Sequence, residues 1–165
     1  MKIIYLFILA LSSFLIIACG GKEYTEKGIV EIVEKTDSIL ATLEGQEYKW
    51  ASARAFSRMK TYYPESDIIF INEKLTYRKP GNAFNRYYYK DGKLIHFIGK
   101  KLAYINATES KMKKELSDLT LYLDPDGDVI SYNKILNNQL VNLDDAELQE
   151  ILSHSKELYS LVGDK

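Results

Sequence analysis

The sequence predicts an α+β domain: an antiparallel β-meander of about five to six strands flanked by an N-terminal and a C-terminal helix. Three observations predict it. Apolar residues recur at three- and four-residue steps from Glu23 to Leu43 and again after Asp144. The period shortens to that of strands from Ile68 onward, and Asp91-Gly92 and Asp126-Gly127 punctuate that stretch as hairpin turns. The composition, 46% hydrophobic and 27% charged over 165 residues, is that of one globular domain and excludes a disordered tail. With 1 Cys and 2 His, neither an intrachain disulfide nor a Cys-rich zinc site is expected, and no cofactor is implied.

The N-terminus carries an address. Met1-Lys2 precedes an apolar run from Ile3 to Ile17 broken only by Ser12 and Ser13, which reads as a signal peptide over residues 1–18. Fifteen helical residues span only about 22 Å, short of the ~30 Å hydrocarbon core, so a permanent transmembrane helix fits less well. The run ends in Ile16-Ile17-Ala18-Cys19-Gly20, which resembles the lipobox of bacterial lipoproteins. The resemblance implies a diacylglycerol thioether on Cys19, cleavage before it, and residues 19–22 as a lipidated tether. It implies a chain lipid-anchored to the cell membrane on its exported side, and Gly20 implies the outer membrane if the source is Gram-negative. The alternative is a buried Cys19 after an ordinary cleaved signal. Residues 23–165 form the single domain.

Within that domain the first helix presents Ile29, Ile32, Val33, Thr36, Ile39, Leu40 and Leu43 on one side, with Gly45 as its stop. Residues 46–63 read as either helix or strand, and the bracketing by Gly45 and Pro64 favours a strand. Strands follow over Ile68 to Tyr77, Phe84 to Tyr89, Lys93 to Ile98, Leu102 to Asn106, Leu116 to Leu123 and Val129 to Leu136. The last helix runs from Asp145 to Leu161, with Asp144 and Glu147 as a capping box and Leu143 stapled to Leu148. Both helices are expected over one face of a twisted sheet.

The two Asp-Gly hairpins align at an offset of 35 residues. A two-residue loop at Asp126-Gly127 pairs Leu123 with Ile130 and Leu121 with Tyr132, giving with Leu119 an apolar face. Transferred across the offset, this puts Tyr88, Ile95 and Phe97 in the core. Tyr87, Tyr89, Leu94, His96 and Tyr122 then occupy the opposite face, which is either a binding surface or is covered by residues 46–63.

Charge is segregated. Residues 74–114 hold 11 Lys or Arg against 2 Asp or Glu, a net of +9 in a chain whose total is −1. Either acidic helices fold over these basic strands or the strands meet an anionic partner. The candidate binding face is accordingly Tyr87, Tyr89 and His96 flanked by Arg86, Lys90 and Lys93. Aromatic rings supply contact area there, and cations supply attraction.

Catalytic patterns are weak: neither His96 nor His154 lies near a nucleophile motif, and Asp124-Pro125-Asp126-Gly127-Asp128 fails the calcium-loop template at its sixth and twelfth positions. The expected function is a non-catalytic binding or scaffolding domain anchored at the envelope. Its partners would be the membrane, through lipid at Cys19, and an anionic envelope component or acidic protein. Nucleic acid is not expected. The alternatives are an immunity or inhibitor protein, or a small envelope hydrolase using His96.

Overall fold

The computed structural model describes residues 24–108 and 111–163, so the signal peptide and Cys19 lie outside the described residues. Helix α1 (Glu26–Leu40) is followed by β1 (Gln46–Ala51), β2 (Ala55–Tyr62), β3 (Phe70–Tyr77), β4 (Gly81–Lys90), β5 (Lys93–Thr108), β6 (Lys111–Leu123), β7 (Val129–Leu136), β8 (Gln139–Leu140) and helix α2 (Asp145–Gly163). The strands form one antiparallel sheet in the order β1 to β8, each paired with its neighbours in the chain. The meander is thus borne out, with eight strands in place of five to six. Residues 46–63 supply two strands, because alternation along Ala55 to Tyr62 buries every second side chain. The segments Lys93 to Ile98 and Leu102 to Asn106 are one strand, because Gly99 stays in register between Asn85 and Leu119 instead of turning.

Both helices begin on side-chain caps. Thr25 Oγ1 accepts from the Gly28 N–H at 3.1 Å, and Asp144 Oδ1 accepts from the Ala146 N–H at 2.7 Å. Glu147 does not close the capping box; it reaches to the sheet for an ion pair with Lys134 of β7.

The helices lie on opposite faces of the sheet, which corrects the expectation of one shared face. Ile29 of α1 packs against Phe70, Tyr88 and Ile95, with Ile32, Leu40 and Tyr122 around them. Leu158 and Val162 of α2 pack against Met59, Ile71, Tyr87, Tyr89, Phe97 and Leu121 on the other face. With both faces covered at that end of the sheet, apolar residues of both parities are needed there, and Tyr87-Tyr88-Tyr89 fills three consecutive buried positions.

Two register shifts distribute these side chains. The Asp91-Gly92 turn is the expected two-residue loop, with φ of 51° and 73° and Lys90 opposite Lys93. A bulge then pairs Tyr88 with His96 but Tyr89 with Leu94. The second hairpin differs. Leu121 does face Tyr132, but Leu123 pairs with Val129, not Ile130, because a register shift leaves Ile130 without a cross-strand partner; the Asp124 carboxylate, accepting from the Asp126 and Asp128 N–H groups, holds the turn beyond it.

Candidate functional site

Alternation places Ile71, Glu73, Leu75 and Tyr77 of β3 on the α2 side of the sheet. Across the strands, Glu73 lies in the row Tyr48, Met59, Glu73, Asn85, Gly99, Leu119, Lys134. A carboxylate in this apolar layer is stable only if its oxygens are satisfied. Ser57 Oγ donates to Oε1 at 2.6 Å; Tyr87 OH and Asn85 Nδ2 donate to Oε2 at 3.0 and 3.3 Å. His154 Nε2, from α2, approaches both oxygens, at 3.2 and 3.0 Å.

Burial pushes the Glu73 pKa up, yet the hydrogen bond and charge of His154, with the Ser57 and Asn85 bonds, hold it below its ordinary value. Burial pulls His154 down, but Glu73, Glu157 and Glu150 raise it on balance. Each partner thus favours the charged form of the other. Burial, followed by the charge of Glu73, raises the Tyr87 hydroxyl well above its usual value, so it stays a proton donor.

Above this cluster the sheet and α2 separate around a cleft of about 310 Å³. Its floor is low because Ala55, Ala83, Gly99 and Ser117 are small; its walls include Trp50, Leu75, Phe97, Leu119 and Ile151. A Cβ on Gly99 would stand 2.7 Å from the Phe97 ring, so glycine there lets the ring lean across the strand. The cleft shares Arg54, Tyr77 and Lys101 with a second recess of about 460 Å³, bordered also by Arg78, Lys79 and Tyr104.

On the other face α1 covers only the end of the sheet nearest the Asp91-Gly92 turn. The rest is an open shelf. One row across it reads Lys49, Arg58, Lys74, Phe84, Lys100, all exposed, before Asp118 is reached. Lys74 sits 5.5 Å over the Phe84 ring and Arg58 5.8 Å over Phe56. Among the described residues none of these four cations makes an ion pair.

The six residues expected to form one binding face do not form one. Tyr87 and Tyr89 are 1% and 3% exposed and face α2; His96 is 3% exposed and faces α1. The bulge and the second helix cover what a one-sided sheet leaves open. His96 does meet tyrosines, packing 4.5 Å from Tyr122 and 5.4 Å from Tyr88, with Nδ1 bonded to the Leu121 carbonyl at 2.9 Å. Burial lowers its pKa, and it borders neither cavity. Arg86 is on the shelf, next to the cation row. Lys90, which sits over the Tyr24 ring, and exposed Lys93 flank the β4–β5 turn. Both helices pack on β4 and β5 of the basic segment at the Asp91-Gly92 end, and the row of cations beyond them stays uncovered.

Comparison with family models, curated proteins and solved structures finds no match. The site must be read from its own chemistry. Glu73 and the shelf went unnoticed in the sequence, although an acid at the centre of Ile71-x-Glu73-x-Leu75, in apolar register, was a visible signal for the first.

Proposed function

We propose that this chain is an envelope lipoprotein, anchored through Cys19, whose domain binds without catalysis an extended anionic polymer of the cell envelope along the open shelf. The observation that carries this reading is the row Lys49, Arg58, Lys74, Phe84, Lys100. Arg58 and Lys74 stand directly opposite on adjacent strands, an unfavourable arrangement of like charges that an anionic partner relieves. Four strand intervals of ~4.8 Å give a track about 19 Å long, with an aromatic ring within it.

Shape favours a strand-like partner over a flat membrane. Helix α1 stands proud of the same face, and its exposed residues include Glu26, Glu31, Glu34 and Asp37 against Lys27 and Lys35, the Asp37 carboxylate also accepting from Tyr88 OH. A planar anionic surface would meet that acidic ridge first. A polymer can lie on the shelf beside it.

The test is retention of the full-length protein on immobilised polygalacturonate, with neutral dextran, polyglutamate and anionic vesicles in parallel. Arg58→Glu with Lys74→Glu should weaken polygalacturonate binding at least tenfold and flatten its salt dependence, since exposed charges are screened over ~8 Å at physiological ionic strength. Phe84→Ser should weaken it with the salt dependence kept. Equal retention on neutral dextran, or undiminished binding by the charge-reversed variant, overturns the reading. Tighter binding to polyglutamate would transfer the shelf to an acidic protein, the partner an immunity or inhibitor role requires; tighter binding to vesicles would transfer it to the membrane.

A further inference from the structure

We propose that the cleft beneath α2 and the basic recess continuous with it hold a small amphipathic anion, its apolar body in the cleft and its carboxylate or similar oxyanion at the recess. This site is on the opposite side of the sheet from the shelf and stands independently of the polymer reading.

The two cavities differ in chemistry along one path. The inner part is walled by Trp50, Leu75, Phe97 and Leu119, large apolar side chains that would enclose a chain or ring. The outer part brings together Arg54, Arg78, Lys79 and Lys101, and no acidic residue borders it among the described residues. Arg54, Tyr77 and Lys101 border both, so the apolar path leads directly to the cations.

The cations sit on a fixed frame. The Arg78 N–H donates to the Arg54 carbonyl at 3.0 Å and the Tyr104 N–H to the Pro80 carbonyl at 3.2 Å, tying the β3–β4 turn to both neighbouring hairpins. A backbone already held in place leaves only the cationic side chains to be ordered by the ligand. Orientation follows from the acids. Glu150 of α2 borders the inner cleft, as does Glu147 in its ion pair with Lys134, so a ligand anion is repelled by Glu150 and drawn to the recess. Glu73 lies beneath the floor and is already neutralised by His154.

Trp50 is the only tryptophan in the chain and lines the cleft, so its emission reports occupancy directly. The full-length protein would be titrated with octanoate, octanol and octylammonium, which share a tail and differ in head charge. Octanoate should shift Trp50 emission saturably and bind at least tenfold more tightly than the other two. Arg78→Glu with Lys79→Glu, both exposed, should reduce octanoate to the affinity of octanol. Ala83→Leu fills the floor and should abolish the response to all three. Because Ala83 is buried, Ser117→Leu, half-buried on the same floor, provides a second filled variant, each checked by thermal melting. Equal affinities, the absence of a saturable shift, or unchanged octanoate binding in the Arg78 and Lys79 variant overturns the proposal.

Discussion

Glu73 on β3 and His154 on α2, 81 positions apart in the chain, meet at 3.0 Å and hold each other in their charged forms inside the domain. The carboxylate side chain is fully buried and the imidazole side chain is 20% exposed, so neither solvent nor salt screens the contact well. This pair joins the packing of Leu158 and Val162 and the Tyr89–Ser155 hydrogen bond in holding α2 on the sheet.

The pair makes stability depend on pH with a definite sign. Glu73 is lowered from 4.5, so its contribution is complete above pH 4.5 and is lost as pH falls through the folded value. His154 is raised from 6.5, so its contribution is complete below pH 6.5 and is lost as pH rises through the folded value. His96 is lowered and acts oppositely, costing stability only below pH 6.5. The melting temperature should therefore fall above pH 6.5 in the parent and lose that slope in His154→Gln, with the slope below 6.5 due to His96 kept in both. Thermal melts across pH 4 to 9 decide it; an identical alkaline slope in both proteins means the pair is not coupled as described.

Core and cap should rank clearly in urea unfolding. Leu121 is fully buried near the end of β6, and Leu121→Ala should cost ~2 to 5 kcal/mol. Asp144→Ala removes only the α2 cap and should cost roughly 1 kcal/mol. Reversal of this order would contradict the packing of α2 against β6.

The β3–β4 turn depends on Gly81. Its φ is +154°, and a Cβ there would stand 2.6 Å from the Leu102 carbonyl oxygen, which belongs to the backbone of the next ladder. Gly81→Ala should destabilise by more than about 1 kcal/mol, whereas the same change at its half-buried neighbour Asn82 should cost less. Chemical denaturation of the two variants separates strain from simple loss of a small residue.

Cys19→Ser should abolish acyl labelling in cells and leave an uncleaved precursor, if the Ile17-Ala18-Cys19 sequence is read as a lipobox. Metabolic labelling with a palmitate analogue followed by mass determination checks both. Normal processing of the Ser variant without label would remove the anchor from the proposed function.

The meander, both helices and the Asp91-Gly92 turn were legible because each rests on local signals: periodicity, caps and a turn pair whose φ values few other residues accept. The count of strands was not. Trp50-Ala51-Ser52-Ala53-Arg54-Ala55-Phe56 gives no period, since the β1–β2 turn lies inside it. The faces were harder still, because a single bulged residue, Ile95, exchanges inside for outside along the rest of a strand. Tyr87 and Tyr89 looked like surface only on the assumption that one face of the sheet is wet. The Glu73–His154 contact is set by tertiary packing and has no local signature beyond an acid in apolar register.

The consecutive strand order has a consequence for how the chain reaches this state. Each ladder closes a short loop between neighbours, so hairpins form and add one by one at little entropic cost. The helices are the exceptions: α1 docks on β3 to β5, and α2 must return across the sheet after every strand has been laid down. Until it does, Glu73 is a carboxylate on an unfinished apolar layer without its imidazole, and the ionised acid opposes drying of that layer. Arrival of His154 removes the obstacle. The slow event in folding is thus assigned to the docking of one helix, and acid, which protonates Glu73, should let the layer collapse before that helix is in place.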